Sequence, residues 1–147
     1  MSERQNSGSV LHSIWALLAG LLVGLAPTLA TDLVLHKVGV FPAKGQVATD
    51  GALLLATIYR TIYGVASSYV VAWLAPRRPM LHALALGTLG LVASIVGTVV
   101  TWNKGAEYGP HWYPIALVVL ALPTAWVGAQ LFLTQRSPRA PQRGISC

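Results

Sequence analysis

Charged residues are scarce in this sequence: Asp, Glu, Lys and Arg make up 10% of 147 residues, where soluble domains carry roughly 25%. With 54% hydrophobic residues and a mean hydropathy of +0.61, the composition is that of an integral membrane protein. Acids are scarcer than bases, four against ten. The resulting charge of +6 does not indicate a nucleic-acid partner, because the basic residues are scattered among loops and a tail. Such scatter is what an excess of Lys and Arg on a cytoplasmic face produces. Cysteine is reduced to Cys147, which excludes a disulfide within the chain, and its position lacks the spacing of a prenylation motif. There is no Walker loop, dinucleotide fingerprint, nucleophile elbow or zincin motif. Gly87-x-x-Gly90 falls inside an apolar run and cannot cradle phosphate. Ser67, Ser68, Tyr63 and His82 carry reactive atoms, but no spacing assembles them, so no enzyme and no cofactor are expected.

What the sequence has instead is long apolar runs, at about 14–35, 52–74, 81–100 and 115–133. Each approaches the ~20 residues that cross a ~30 Å hydrocarbon core at ~1.5 Å per residue. The breaks between them carry stop signals, Phe41-Pro42, Ala75-Pro76-Arg77-Arg78-Pro79 and Gly109-Pro110-His111-Trp112-Tyr113-Pro114. The expected fold is an all-α antiparallel bundle of four transmembrane helices over residues 10–134, left-handed with crossings near ~20°. Residues 1–9 and the Pro-, Arg- and Ser-rich stretch 135–147 are expected to be disordered, the latter as a basic tail lying against anionic lipid.

Orientation follows from the cations. Arg4, Arg77, Arg78, Arg136, Arg139 and Arg143 share one side; Lys37, Lys44 and Lys104 share the other. The arginine-rich side is cytoplasmic by the positive-inside rule, which puts both termini inside. Trp102, Tyr108, Trp112 and Tyr113 then form an outer aromatic belt, with Trp15 and Trp73 near the inner one. A cleaved signal peptide is the rival for the first run, since Ile14 to Leu25 resembles an h-region and Thr28-Leu29-Ala30 a cleavage site. Glu3 offsets Arg4, however, and apolar character continues to Leu35, which favours a retained helix.

Small residues at i+4 spacing mark where membrane helices pack closely. The first run has Ala16, Gly20, Gly24, Thr28 and Asp32 in one row; the third has Ala83, Gly87, Gly90, Ser94, Gly97 and Thr101. The second presents Ala56, Arg60, Gly64 and Ser67, and the fourth Ala121, Ala125 and Gly128, with Pro123 expected to bend it. These stripes are read as packing seams.

Arg60 stands near the middle of the second run, and Asp32 is the only acid inside any run. A guanidinium at that depth costs at least a few kcal/mol unless a partner receives it. Side chains lean toward their helix's N-terminus, so in antiparallel helices Arg60 leans outward and Asp32 inward, and the two converge in the outer half of the bundle. The expected polar site is Arg60, Asp32, Tyr59, Tyr63 and Thr28. It is either a buried ion pair that fixes helix register or a pocket in which Arg60 receives an anionic or carbonyl-bearing ligand, with register the favoured reading.

Two histidines lie near each face, His12 and His82 inside, His36 and His111 outside. Paired imidazoles at both faces are how bundle cytochromes hold haem, but all four fall at helix ends or loops and none has a His-x-x-x-His partner. They are weak haem-ligand candidates and no metal is expected. His82 is expected to cap its helix or meet headgroups.

The stretches Tyr59-Arg60-Thr61-Ile62-Tyr63, Leu74 to Ala83 (LAPRRPMLHA) and Gly109 to Pro114 (GPHWYP) resemble blocks that recur in small bacterial four-helix integral membrane proteins. The resemblance spans about residues 20–131. It implies a bacterial cytoplasmic (inner) membrane and carries no activity or site residues. The leading functional expectation is a small non-enzymatic membrane protein, an accessory subunit or homo-oligomer with lipid and partner helices as its contacts. The alternative is a carrier or channel-like protein for a small polar or anionic solute, using the same residues. A membrane enzyme or haem protein comes third.

Overall fold

The computed structural model describes residues 2–42, 46–75, 77–105 and 109–136, with side chains from Val10 onward. Four helices follow one another: α1 (Ser2–Lys37), α2 (Asp50–Leu74), α3 (Pro79–Thr101) and α4 (Trp112–Arg136). No strand occurs among the described residues. The core of each helix coincides with an apolar run, and the ends extend beyond it. The largest extension is at the start of α1, which is helical from Ser2, so residues 2–9 are helix where composition suggested disorder. Gln135 and Arg136 likewise continue α4, while residues 137–147, including Arg139, Arg143 and Cys147, lie outside the described residues. So do Lys44, Glu107 and Tyr108. Pro27 and Pro123 both sit inside unbroken helices.

Local chemistry explains the ends. Gly39, at φ +77°, closes α1 in a Schellman motif: the Val40 amide donates to the Leu35 carbonyl at 3.0 Å and the Gly39 amide to His36 at 3.3 Å. The reversal returns Phe41 to the bundle, where it packs with Ala52, Ala56 and Tyr59. Thr49 caps α2, its hydroxyl accepting from the Ala52 amide at 3.3 Å, and Asp50 stands in the first turn, where the helix dipole favours an acid. Pro79 opens α3, where its missing N–H is not needed.

Contacts fix the directions. Ser67 of α2 donates to the Gly20 carbonyl of α1 at 2.5 Å and Asp32 meets Arg60, so α1 and α2 run antiparallel. Gly87 faces Ala125 and Trp102 stacks on His111, so α3 and α4 do too. α2 and α4 are parallel neighbours, joined successively by Leu53–Gly109, Gly64–Thr124 and Tyr69–Gln135. One end of the bundle holds the α1–α2 and α3–α4 loops; the other holds the α2–α3 loop with the start of α1 and the end of α4.

α2 packs on all three other helices, most extensively on α1 and α4, whereas α1 and α3 share only a small contact. It is also the helix that differs from expectation. α1, α3 and α4 are long and apolar enough to cross a membrane; α2 is not among them. Its 25 residues are sufficient in length, but Arg60, three tyrosines and two serines reduce its apolar character. Those polar groups are turned inward: Thr57, Tyr59, Ser67 and Ser68 are buried, while Leu54, Leu55, Ile58 and Ile62 lie on the outside. The exterior of the bundle is otherwise leucine, valine, isoleucine and tryptophan. Apolar patches on that scale do not occur on water-soluble monomers.

Backbone meets backbone closely between α2 and α4. A Cβ at Gly128 would meet the Val65 carbonyl oxygen at 2.4 Å and the Tyr69 amide nitrogen at 2.9 Å, both backbone atoms, whereas one at Gly97 would meet nothing within 4 Å. Gly128→Ala is therefore expected to cost about 1–3 kcal/mol by forcing the helices apart, and Gly97→Ala to cost nothing. Unfolding of the two variants in detergent micelles compares them directly; equal stability would mean that α2 and α4 do not approach this closely.

Candidate polar site and interhelical cavity

Arg60 and Asp32 are brought together by the opposed lean of side chains on antiparallel helices. Arg60 Nη2 donates to Asp32 Oδ2 at 2.6 Å, and the Tyr59 hydroxyl donates to Asp32 Oδ1. The carboxylate is thus held at both oxygens by neighbouring residues of α2. The guanidinium is less completely met. Its Nε is buried with no hydrogen-bond partner among the described residues, and its side chain remains 35% exposed, against 23% for Asp32.

The other predicted members sit close by with different partners. Tyr63 packs against Tyr59, ring centroids 5.9 Å apart, and its hydroxyl pairs with Thr31 at 3.0 Å, not with either charge. The Thr28 hydroxyl donates back to the Gly24 carbonyl at 2.7 Å, the local bond that Thr commonly makes in a helix. Two residues were not anticipated. Thr31 serves Tyr63, and Tyr113, assigned from sequence to an outer aromatic belt, packs instead against the Phe41–Ala52–Ala56–Tyr59 cluster, within electrostatic range of both Arg60 and Asp32. The parallel packing of α2 beside α4 brings it there, and spacing along the chain carries no signal of that neighbour.

A cavity of about 350 Å³ opens beside the ion pair, lined from all four helices and bounded at one end by Arg60. That is near the low end of small-molecule sites, roughly 300–1,000 Å³. The small-residue stripes meet here in two roles. Gly20, Gly87 and Gly128 are seams in which an added Cβ would strike a neighbour at 2.5 Å or less. Gly90, by contrast, faces the cavity and has nothing within 4 Å of its Cβ position. A wider recess of about 720 Å³ lies among the loops near Asp50, Trp102 and His111. Its polar groups already serve one another: Trp112 Nε1 donates to Asp50 at 3.0 Å, and His111 stacks on Trp102 with centroids 4.2 Å apart.

The histidines act as local ties. His82 contacts the Arg78 carbonyl through Nδ1 at 3.2 Å and the Ser13 hydroxyl through Nε2 at 2.9 Å, so it joins α3 to α1. His36 Nδ1 lies 2.8 Å from the Asp32 carbonyl, and His111 Nε2 lies 3.2 Å from the Trp102 carbonyl. His12 is also engaged in contacts. No cluster of three or more His, Cys, Asp or Glu suited to a metal occurs among the described residues.

Removing either charge alone strands the other. Arg60→Met and Asp32→Asn are each expected to cost about 3 kcal/mol, the lower part of the range for a broken buried pair because Arg60 is partly exposed. The double variant is expected to recover about 0.5–3 kcal/mol relative to the sum. Strict additivity in detergent unfolding would mean that the two groups do not interact in the membrane-extracted protein.

Comparison with protein-family models, with curated proteins and with solved structures gives no match to this chain.

Proposed function

We propose that the chain is a small non-enzymatic integral membrane protein of a bacterial cytoplasmic membrane, in which all four helices span, both termini face the cytoplasm, and the bundle receives a ligand at Arg60. Spanning by α2 is supported by its inward-turned polar groups and outward-turned Leu54, Leu55, Ile58 and Ile62. The orientation rests on the six arginines of one face against the three lysines of the other, and the bacterial assignment on the sequence blocks quoted above. The observation that carries the ligand reading is the cavity beside an incompletely satisfied guanidinium. Intramembrane cations mark substrate paths and sites more often than soluble ones do, and a register device alone would not need the open volume.

A second reading, an accessory subunit or homo-oligomer, is favoured by one observation: beyond Gly87 the α3 helix has no buried residue, and Gly97 faces open space. Another helix covering that face would appear as a dimer or a stoichiometric complex in the native mass of gently purified protein.

Cys147, the single cysteine, gives a direct test of orientation. An impermeant maleimide should leave intact cells unlabelled and modify Cys147 after permeabilisation; labelling of intact cells overturns the assignment. For the site, compounds that raise the melting temperature of the wild-type protein in nanodiscs should lose that effect in the Arg60→Gln/Asp32→Asn double variant. Stabilisation that survives the double variant places the ligand elsewhere.

A further inference from the structure

The walls of the cavity restrict what it can hold. Leu21, Leu25, Leu86, Leu89, Leu117 and Leu120 provide its apolar surface. The hydroxyl protons on the walls are largely committed: Thr28 donates to Gly24, Thr61 to Thr57, Ser67 to Gly20 and Thr124 to the Leu120 and Ala121 carbonyls. The donors remaining at the cavity are Arg60 and the hydroxyls of Ser68 and Ser94. Arg60 is already neutralised by Asp32, so the site has no net charge. An anion entering it would leave a net negative charge in apolar surroundings, which is costly. An uncharged carbonyl oxygen accepts from the remaining donors and leaves the charge balance unchanged.

The route is also visible. α1 and α3 touch toward the end that carries the α2–α3 loop, through Ser13–His82 and Gly20–Leu86, and their contact is small overall. Further along, both helices line the cavity. Its rim there carries Leu21 and Leu25 on α1, each 48% exposed, and Leu89 on α3, 58% exposed. Gly90 stands beside Leu89 with open space in front of it. The opening faces sideways, where the bilayer would be.

We infer that the gap between α1 and α3 is a lateral portal through which an uncharged amphiphile enters from the bilayer, its apolar chain along the leucine walls and its carbonyl oxygen accepting from Arg60. This rests on the reading that the cavity at Arg60 is a ligand site, and it replaces the small anionic solute with a lipid-borne neutral one.

The test uses the full chain in nanodiscs with a photoreactive dodecyl methyl ketone, competed by the unlabelled ketone, by the carboxylic acid of the same chain and by inorganic phosphate. The ketone should label α1 and α3 residues around the cavity. Gly90→Phe, whose Cβ would meet nothing within 4 Å, should abolish that labelling while leaving the melting temperature unchanged. Arg60→Gln/Asp32→Asn should weaken competition by the ketone about tenfold or more, the loss expected for a hydrogen bond to a charged donor. Better competition by the acid or by phosphate, lost in the double variant, would overturn the neutral-carbonyl assignment and leave Arg60 as the site. Labelling that persists in Gly90→Phe would overturn the lateral route. Competition by every probe that is indifferent to the double variant, or no labelling of the cavity at all, would overturn the reading of Arg60 as a ligand site.

Discussion

A guanidinium among apolar helices has to find its counter-charge and its acceptors within its own chain, and the rest of this bundle is arranged around that requirement. Arg60 lies on the helix that also carries Tyr59, Tyr63, Ser67 and Ser68, so α2 is poorly suited to face lipid on more than one side. It is accordingly the helix most extensively packed against the others. The carboxylate has to come from α1 at the right height, and the Schellman reversal at Gly39, which brings Phe41 back onto Ala52 and Ala56, fixes that height. Ser67 bonded to the Gly20 carbonyl makes a second tie between the same two helices, well removed from the ion pair. Between them the two contacts set both the register and the direction of α1 against α2.

Once α2 occupies the centre, the remaining helices are not equivalent. α4 lies along α2 in parallel through a seam so close that Gly128 has backbone in front of it. α3 has buried residues only at Ala83 and Gly87, and just past its end Trp102 stacks on His111 ahead of α4. Between these points the cavity lies among α3 and the other three helices. Glycine and alanine stripes therefore have two outcomes in the same molecule: where two backbones meet, a missing side chain permits contact, and where they part, it enlarges a void. Apolar association between helices gains little from lipid, so nothing compels α3 to close over α1.

Much of this architecture was legible in the residues, for reasons that can be named. Apolar runs located the helices because a bilayer imposes a length. The convergence of Arg60 and Asp32 followed from the direction in which side chains lean, a covalent property independent of packing. The roles of Thr28 and Tyr63 were less accessible. A threonine in a helix has a carbonyl four residues back within reach, so its hydroxyl is satisfied locally whatever lies across the seam. The phenol of Tyr63 reaches Thr31, the residue next to Asp32. Tyr113 could not be found from spacing, because its place at the site depends on α2 and α4 being neighbours, a tertiary fact. The polar residues that place α2 innermost are also the ones that take it out of the set of helices apolar enough to span alone. The helical start of α1 ran against composition, since residues 2–9 are polar and carry no apolar periodicity. They continue a helix whose later turns are packed, and propagation of an existing helix requires no new nucleus.

The ion pair itself bears on whether the site is structural or receptive. Replacing a buried pair by apolar residues of similar size is often neutral or stabilising, so stability alone is a weak reason for Arg60 and Asp32 to be present. Register is a better reason, but a device for register works best when every donor and acceptor is closed, as Asp32 is by Arg60 and Tyr59 together. The arginine half is not closed in this way: one N–H is buried without an acceptor among the described residues, and Arg60 lines the cavity. A donor left short in a low-dielectric setting costs free energy in the empty protein, a cost that a pair serving register alone has no reason to carry. The proposed ligand site would use this asymmetry between a saturated carboxylate and an unsaturated guanidinium, with Asp32 as its built-in counter-ion and Arg60 as its donor.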